Sequence, residues 1–250
     1  MRPLVAAAIL AAGLHPVRTL AEARIYGAGP AEASSAMAMA RAAEAAGDRT
    51  AARDWLGLAV AADPDWALPR VALADLLLSE GGGAAEAERA ERLLERAERS
   101  QSTSPRLYRL LGEARARLGD RGGAAAAWAQ SLALSDDPGL RMARAALLRD
   151  EPGRREESIA ELERVRAARP GEASAHSLLA EAYEAAGRFP EAEAELRWLA
   201  AASPGSAAPL RRLARFLERA GEPRRAAEAE EAARAVERPR RSLRALRVGG

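Results

Sequence analysis

Two histidines, His15 and His176, are the only imidazoles in the chain, and cysteine is absent. Without thiols there is no thiolate metal site, no Cys nucleophile and no disulfide. Neither histidine has a second His at i+4, so no helical metal pair forms. Glu191, Glu193 and Glu195 alternate along a short stretch with Arg188 and Arg197 nearby. That pattern reads as a solvated helix face supported by charge pairs rather than as a catalytic pair. Ser34-Ser35 and Ser102-Thr103-Ser104 read as helix caps and linker. Gly81-Gly82-Gly83 lacks the Lys and Ser/Thr that follow in a phosphate loop, so it reads as a turn. No residue set supports an enzyme. The expectation is no catalytic residue, no cofactor and no metal.

The elements that carry these residues are helical. Nearly half of the 250 residues are hydrophobic, mostly as Ala, and aromatics are 4%. Ala is the best helix former, and its methyl contributes little to a core, so many closely packed helices are expected. β-branched residues are scarce and no alternating run of them reads as a strand. All 38 basic residues are Arg, a bias read as genomic rather than as selection for bidentate donors. The net charge of +2 calls for no nucleic acid partner. The charge is uneven: from Ala207 onward there are twelve Arg and six Glu, and the chain before that is slightly acidic.

Residues 1–23 read MRPLVAAAILAAGLHPVRTLAEA. Arg2 gives a positive start, Leu4–Leu14 an apolar run, and Ala21-Glu22-Ala23 a small-x-small pattern before Arg24. The order of parts resembles a secretory signal peptide and predicts export to the periplasm. As a helix the run spans about 16 Å, too short for a stable membrane anchor. The alternative is a first cap helix of a cytoplasmic protein.

The stretch Ser177–Pro204, SLLAEAYEAAGRFPEAEAELRWLAAASP, shows the organisation. Leu179, Tyr183 and Ala186 recur at helical spacing, and Gly187 then breaks the helix. A second helix starts near Pro190, runs through Ala192, Leu196 and Leu199, and stops before Pro204. Ala180 and Ala192 stand where such helices cross, and only small side chains allow close approach there. In steps of 34 residues, Gly187 maps onto Gly153, Gly119 and Gly221. Ala192 maps onto Ser158, Ala124 and Ala226, and Leu196 onto Leu162, Trp128 and Glu230. Residues 24–32 read as a linker, and the repeats parse as 33–66, 67–104, 105–138, 139–172, 173–206 and 207–240. Residues 241–250 form an Arg-rich tail whose Leu243 and Leu246 are expected to cover the last edge. A coiled coil is broken by the recurring Gly and Pro.

This pattern resembles the tetratricopeptide repeat, whose W-x2-L-G-x2-Y, Gly, A-x3-F and Pro find counterparts in LAEAY, GRF, AEAEL and Pro204, and in YRLLG, GD and AAAAW. The resemblance implies an all-α fold, a right-handed α-solenoid of about six helix–turn–helix repeats, each buried against its neighbours. It places His176 where the family has a large packing residue. It also implies a concave groove lined by the first helix of each repeat. The positions expected there are Met37, Arg41, Asp75, Leu78, Arg109, Glu113, Arg144, Leu147, Ser177, Glu181, Arg211 and Arg215. The chain has no Lys and no Asn, so the clamp some of these proteins use for a chaperone's C-terminal carboxylate is not expected. Mixed charge with Leu and Met suits a peptide or an amphipathic helix of another protein.

The function expected is a protein-binding scaffold that assists assembly of a cell-envelope complex. The alternatives are a cytoplasmic regulatory module, or an accessory subunit of an enzyme such as a polysaccharide synthase or a cytochrome c maturation complex. Of two readings of the C-terminal Arg cluster, a solubilising end cap is preferred to a patch for an acidic partner, lipid or polysaccharide.

Overall fold

The computed structural model describes residues 31–100 and 103–237. The leader, residues 238–250 and the cover expected from Leu243 and Leu246 lie outside the described residues. Among the described residues, all regular structure is helical. The helices are α1 (Ala31–Ala45), α2 (Arg49–Ala62), α3 (Ala67–Ser79), α4 (Ala84–Arg99), α5 (Pro105–Arg117) and α6 (Arg121–Leu134). They continue with α7 (Pro138–Arg149), α8 (Arg155–Ala168), α9 (Ala173–Ala185), α10 (Phe189–Ala202), α11 (Ala207–Arg219) and α12 (Pro223–Glu237). A 3-10 turn, Pro152–Arg154, precedes α8.

The described residues divide between Leu140 and Arg141 into two compact units. In the first, α1 packs on α2, α3 on α4 and α5 on α6, and the second helix of each hairpin meets the first helix of the next. Leu56, Val71, Leu77, Leu94, Leu107 and Leu110 form its core. In the second, α9 packs on α10 and α11 on α12, with α8 against α9 and α10 against α11. Ile159, Leu162, Leu179, Tyr183, Leu196 and Phe216 form that core. Each unit is thus a short α-solenoid in which a hairpin buries its apolar stripe only against its neighbours. A buried Leu contributes about 2 kcal/mol and an Ala methyl well under half of that, so these few large residues hold an Ala-rich stack together. The small residues permit close approach: Ala124, Ser158, Ala180, Ala192 and Ala226 are all buried.

The turns repeat one device. Gly47, Gly119, Gly187 and Gly221 follow a first helix at φ between +75 and +83. The next residue's N–H reaches back to the carbonyl five residues earlier, as from Asp120 to Arg115 (2.9 Å) and from Arg188 to Tyr183 (2.8 Å). That is the Schellman closure, which requires a left-handed residue that glycine supplies without a Cβ penalty. Asp48 and Asp120 then cap the second helix, accepting from Ala51 and Gly123 N–H. Ser104 caps α5 in the same way, accepting from Leu107 N–H at 3.1 Å.

The fourth hairpin departs from the 34-residue rule. Gly153 is not among the positive-φ glycines. Pro152 presets a 3-10 turn there, with Arg154 N–H donating to Glu151 O at 2.9 Å, so no left-handed residue is needed. Ser34 and Ser35 also differ from the expected cap: α1 starts at Ala31, and Ser35 Oγ donates to Ala31 O inside the helix.

Candidate functional site

The expected partner surface lies on the first helices, and the structure separates those positions into three groups. Met37, Leu78 and Arg144 are buried, which corrects their expected exposure. Met37 and Leu78 belong to the core of the first unit, where α3 is buried almost all round. Arg144 is ion-paired inside the second unit. Its guanidinium donates to Glu157 and to Glu161 (2.8 Å), and Arg141 also holds Glu161. Arg154 from the turn donates to Glu157 at 2.9 Å, and Ser158 Oγ donates to Ala145 O at 2.7 Å. These bonds tie α7 to α8. The Arg154 bond, with Arg144 behind it, holds the Glu157 carboxyl below its ordinary range.

The second group is polar and locked to the neighbouring repeat. In the first unit, Asp75 of α3 accepts from Arg106 of α5 at 2.6 Å. In the second unit, Glu181 of α9 accepts from Arg149 of α7 and from Arg212 of α11 (2.9 Å). Arg212 also donates to the Ser177 hydroxyl at 2.5 Å and to the Ser177 carbonyl at 3.1 Å. A charge ladder therefore runs α7–α9–α11 through Ser177 and Glu181. Arg106, Arg149 and Arg212, which complete these pairs, were not among the expected residues. Their signal is opposite charge at a spacing of 31–32 residues, about one repeat away.

The third group is half-buried or exposed. Arg109 lies 4.0 Å from Glu113, which also accepts from Arg117 at 2.7 Å. Arg41 and Leu147 are half-buried. Arg211 and Arg215 are exposed, and Arg211 pairs with Glu237 of α12 at 2.6 Å.

The carboxylates of α10 do not form one solvated face. Glu191 pairs with Arg188, and Glu193 with Arg197 and Arg225. Glu195 is buried, because its side of α10 meets α8 and α9. It accepts from Arg166 and faces His176 Nδ1 at 2.5 Å. The His176 ring stacks on Trp198 with centroids 3.5 Å apart, and its Nε2 faces the Pro170 carbonyl at 2.9 Å. A catalytic base needs a free ring nitrogen at a substrate; both nitrogens here are occupied and the residue is 4% exposed. Nearby, Tyr183 O–H donates to Glu163 at 2.6 Å. Burial, then that bond, pushes its phenol up to about 12. Among the described residues no group of three His, Cys, Asp or Glu is placed to hold a metal ion.

Residues 151–202, which span the 3-10 turn and α8–α10, match the tetratricopeptide repeat family. Solved structures agree on the fold. MamA is 20% identical with a TM-score of 0.61, covering 69% of this chain and 92% of its own. YrrB, described as a TPR protein with an unusual peptide-binding site, is 17% identical with a TM-score of 0.60, covering 74% and 93%. A tetratricopeptide repeat protein from Parabacteroides merdae is 14% identical with a TM-score of 0.63, covering 82% and 79%. No curated protein matches the sequence. Residues 151–202 thus match the tetratricopeptide repeat, and the fold shared with these structures is an all-α stack of helical hairpins.

Proposed function

We propose that the chain is a non-enzymatic scaffold that binds a peptide or amphipathic helix of another protein on the first-helix faces of its hairpins. The observation that carries this reading is the ordered polar row on those helices. Charge pairs one repeat apart hold it rigid, as in Arg149–Glu181–Arg212. A preformed surface binds with little loss of conformational entropy, and a few anchors supply the affinity. The contacting positions in this reading are Arg41, Asp75, Arg109, Glu113, Leu147, Ser177, Glu181, Arg211 and Arg215. YrrB is a repeat protein of this fold with a peptide-binding site, which supports the class of partner.

The leader-like residues 1–23 support an exported chain that assists assembly of an envelope complex. The test is cross-linking mass spectrometry of the full chain in its own cells, comparing the parent with Arg109→Glu and Arg211→Glu. The expected result is one dominant envelope protein linked to first-helix positions, lost in the reversed variants, with the mature chain starting at Arg24. Capture unchanged by both reversals would overturn the surface. A retained leader with cytosolic partners would overturn the location.

A further inference from the structure

The first unit contains a basic cavity that the proposed partner surface does not use. It measures about 480 Å³ and is lined by Pro64, Asp65, Arg70, Arg96, Arg99 and Ser100. Arg70 comes from α3, Arg96 and Arg99 from the end of α4, and Pro64 and Asp65 from the loop after α2. Arg70 is 5% exposed, yet among the described residues no carboxylate pairs with it, and its guanidinium donates only from Nη1 to Trp66 O at 3.4 Å. Its Nε is a buried donor without an acceptor, as is the neighbouring Trp66 Nε1. Arg96 and Arg99 likewise have no ion-pair partner among the described residues, whereas many arginines of the chain do.

Cations in the last turn of a helix offset its dipole, which accounts for Arg96 and Arg99 in part. It does not account for Arg70, a buried guanidinium from another helix facing two like charges. Burial first, and then Arg96, press the Arg70 pKa down, while Asp65 and Asp63 act the other way. A buried charge is tolerated when a counter-ion meets it. With Asp65 included, the lining carries three positive charges and one negative, a net +2. A phosphate dianion matches that charge, and its oxygens suit guanidinium forks better than a carboxylate's single charge does. The cavity falls within the range of small-molecule sites, larger than phosphate alone. A smaller cavity of about 160 Å³, lined by Arg89, Arg92, Leu93 and Arg96, adjoins it through Arg96.

We propose that Arg70, Arg96 and Arg99 form a binding site for a dianionic phosphate group, either free or as a monoester of a small molecule. This is independent of the scaffold reading, since none of the three is a first-helix partner position.

The test is titration calorimetry of the full chain with inorganic phosphate, phenyl phosphate and acetate at one ionic strength. Saturable phosphate binding is expected, with acetate at least about tenfold weaker. Arg96→Gln and Arg99→Gln are each expected to weaken it about tenfold, the loss of one charge-assisted contact. Arg224→Gln, an exposed charge in the second unit, is expected to change nothing. Both test positions lie outside the core, and unchanged circular dichroism separates lost binding from lost fold. Tighter binding of phenyl phosphate identifies a monoester site, and tighter binding of inorganic phosphate a free-anion site; both support the proposal. No saturable heat, equal affinity for acetate, or affinity untouched by Arg96→Gln and Arg99→Gln overturns it.

Discussion

Gly112→Ala sets two opposed effects against each other at one position. Gly112 lies in α5, where replacing Gly by Ala adds about 1 kcal/mol of helix propensity. Propensity alone therefore predicts a more stable protein. The structure predicts the reverse. A Cβ at Gly112 would sit 2.8 Å from Trp128 Cγ and closer still to Cδ1 and Nε1. The indole cannot simply give way, because it is 8% exposed and its Nε1–H donates to Arg109 O at 3.0 Å. Displacing it loses that bond, about 1 kcal/mol, and overpacks the hairpin by about 1–3 kcal/mol. After the propensity gain, the net loss is about 2 kcal/mol, or roughly 4–8 °C in melting temperature for a chain of this size. Urea unfolding followed by circular dichroism measures it. Repeating the substitution in a Trp128→Leu background isolates the contact. With the indole removed, Gly112→Ala is expected to be neutral or stabilising, giving a coupling of at least about 1 kcal/mol. A parent-like or more stable Gly112→Ala, or a penalty that persists once the indole has been replaced, would refute the close-approach argument.

Gly187→Ala is expected to cost about 1 kcal/mol through backbone strain alone, since φ is +76 and no atom lies within 4 Å of the added Cβ; the urea midpoint reads it. Arg144→Met is expected to destabilise the second unit by about 3 kcal/mol, because Glu157 and Glu161 lose their shared buried cation; an unchanged midpoint would place Arg144 outside the packing and return it to the surface. For Tyr183, the folded-state phenol is raised from 10.0 to about 12. Its neutral form is therefore favoured by folding, and the stability it contributes is complete below pH 10 and lost as pH rises toward 12. Phenolate absorbance with a stability profile over that window checks it, and Tyr183→Phe is expected to flatten the profile.

The helical class was legible in the sequence for a local reason. Leu179 with Tyr183, and Ala192 with Leu196, recur at the period of a helix, and the intervening Gly187 and the bounding Pro204 act on their own backbone, so neighbours a few residues away suffice to read them. The same locality explains the miss at Gly153, where Pro152 builds a different turn that a count of 34 does not reveal. Tertiary structure alone decided which polar side chains are free. Ser177 and Glu181 look like open surface along α9, yet Arg149 and Arg212 reach them from hairpins on either side. Glu195 looks solvated beside Glu191 and Glu193 but meets His176 and Arg166 inside the stack. Arg70, Arg96 and Arg99 converge only because α3 and α4 fold back on each other around one cavity. A helix's own periodicity fixes the face on which a residue sits, whereas its partner is set by the rotation and spacing of the next hairpin. Those follow from how Ala-sized crossings and a few large core residues pack, and they determine whether a charge is a staple, a buried pair or a ligand site.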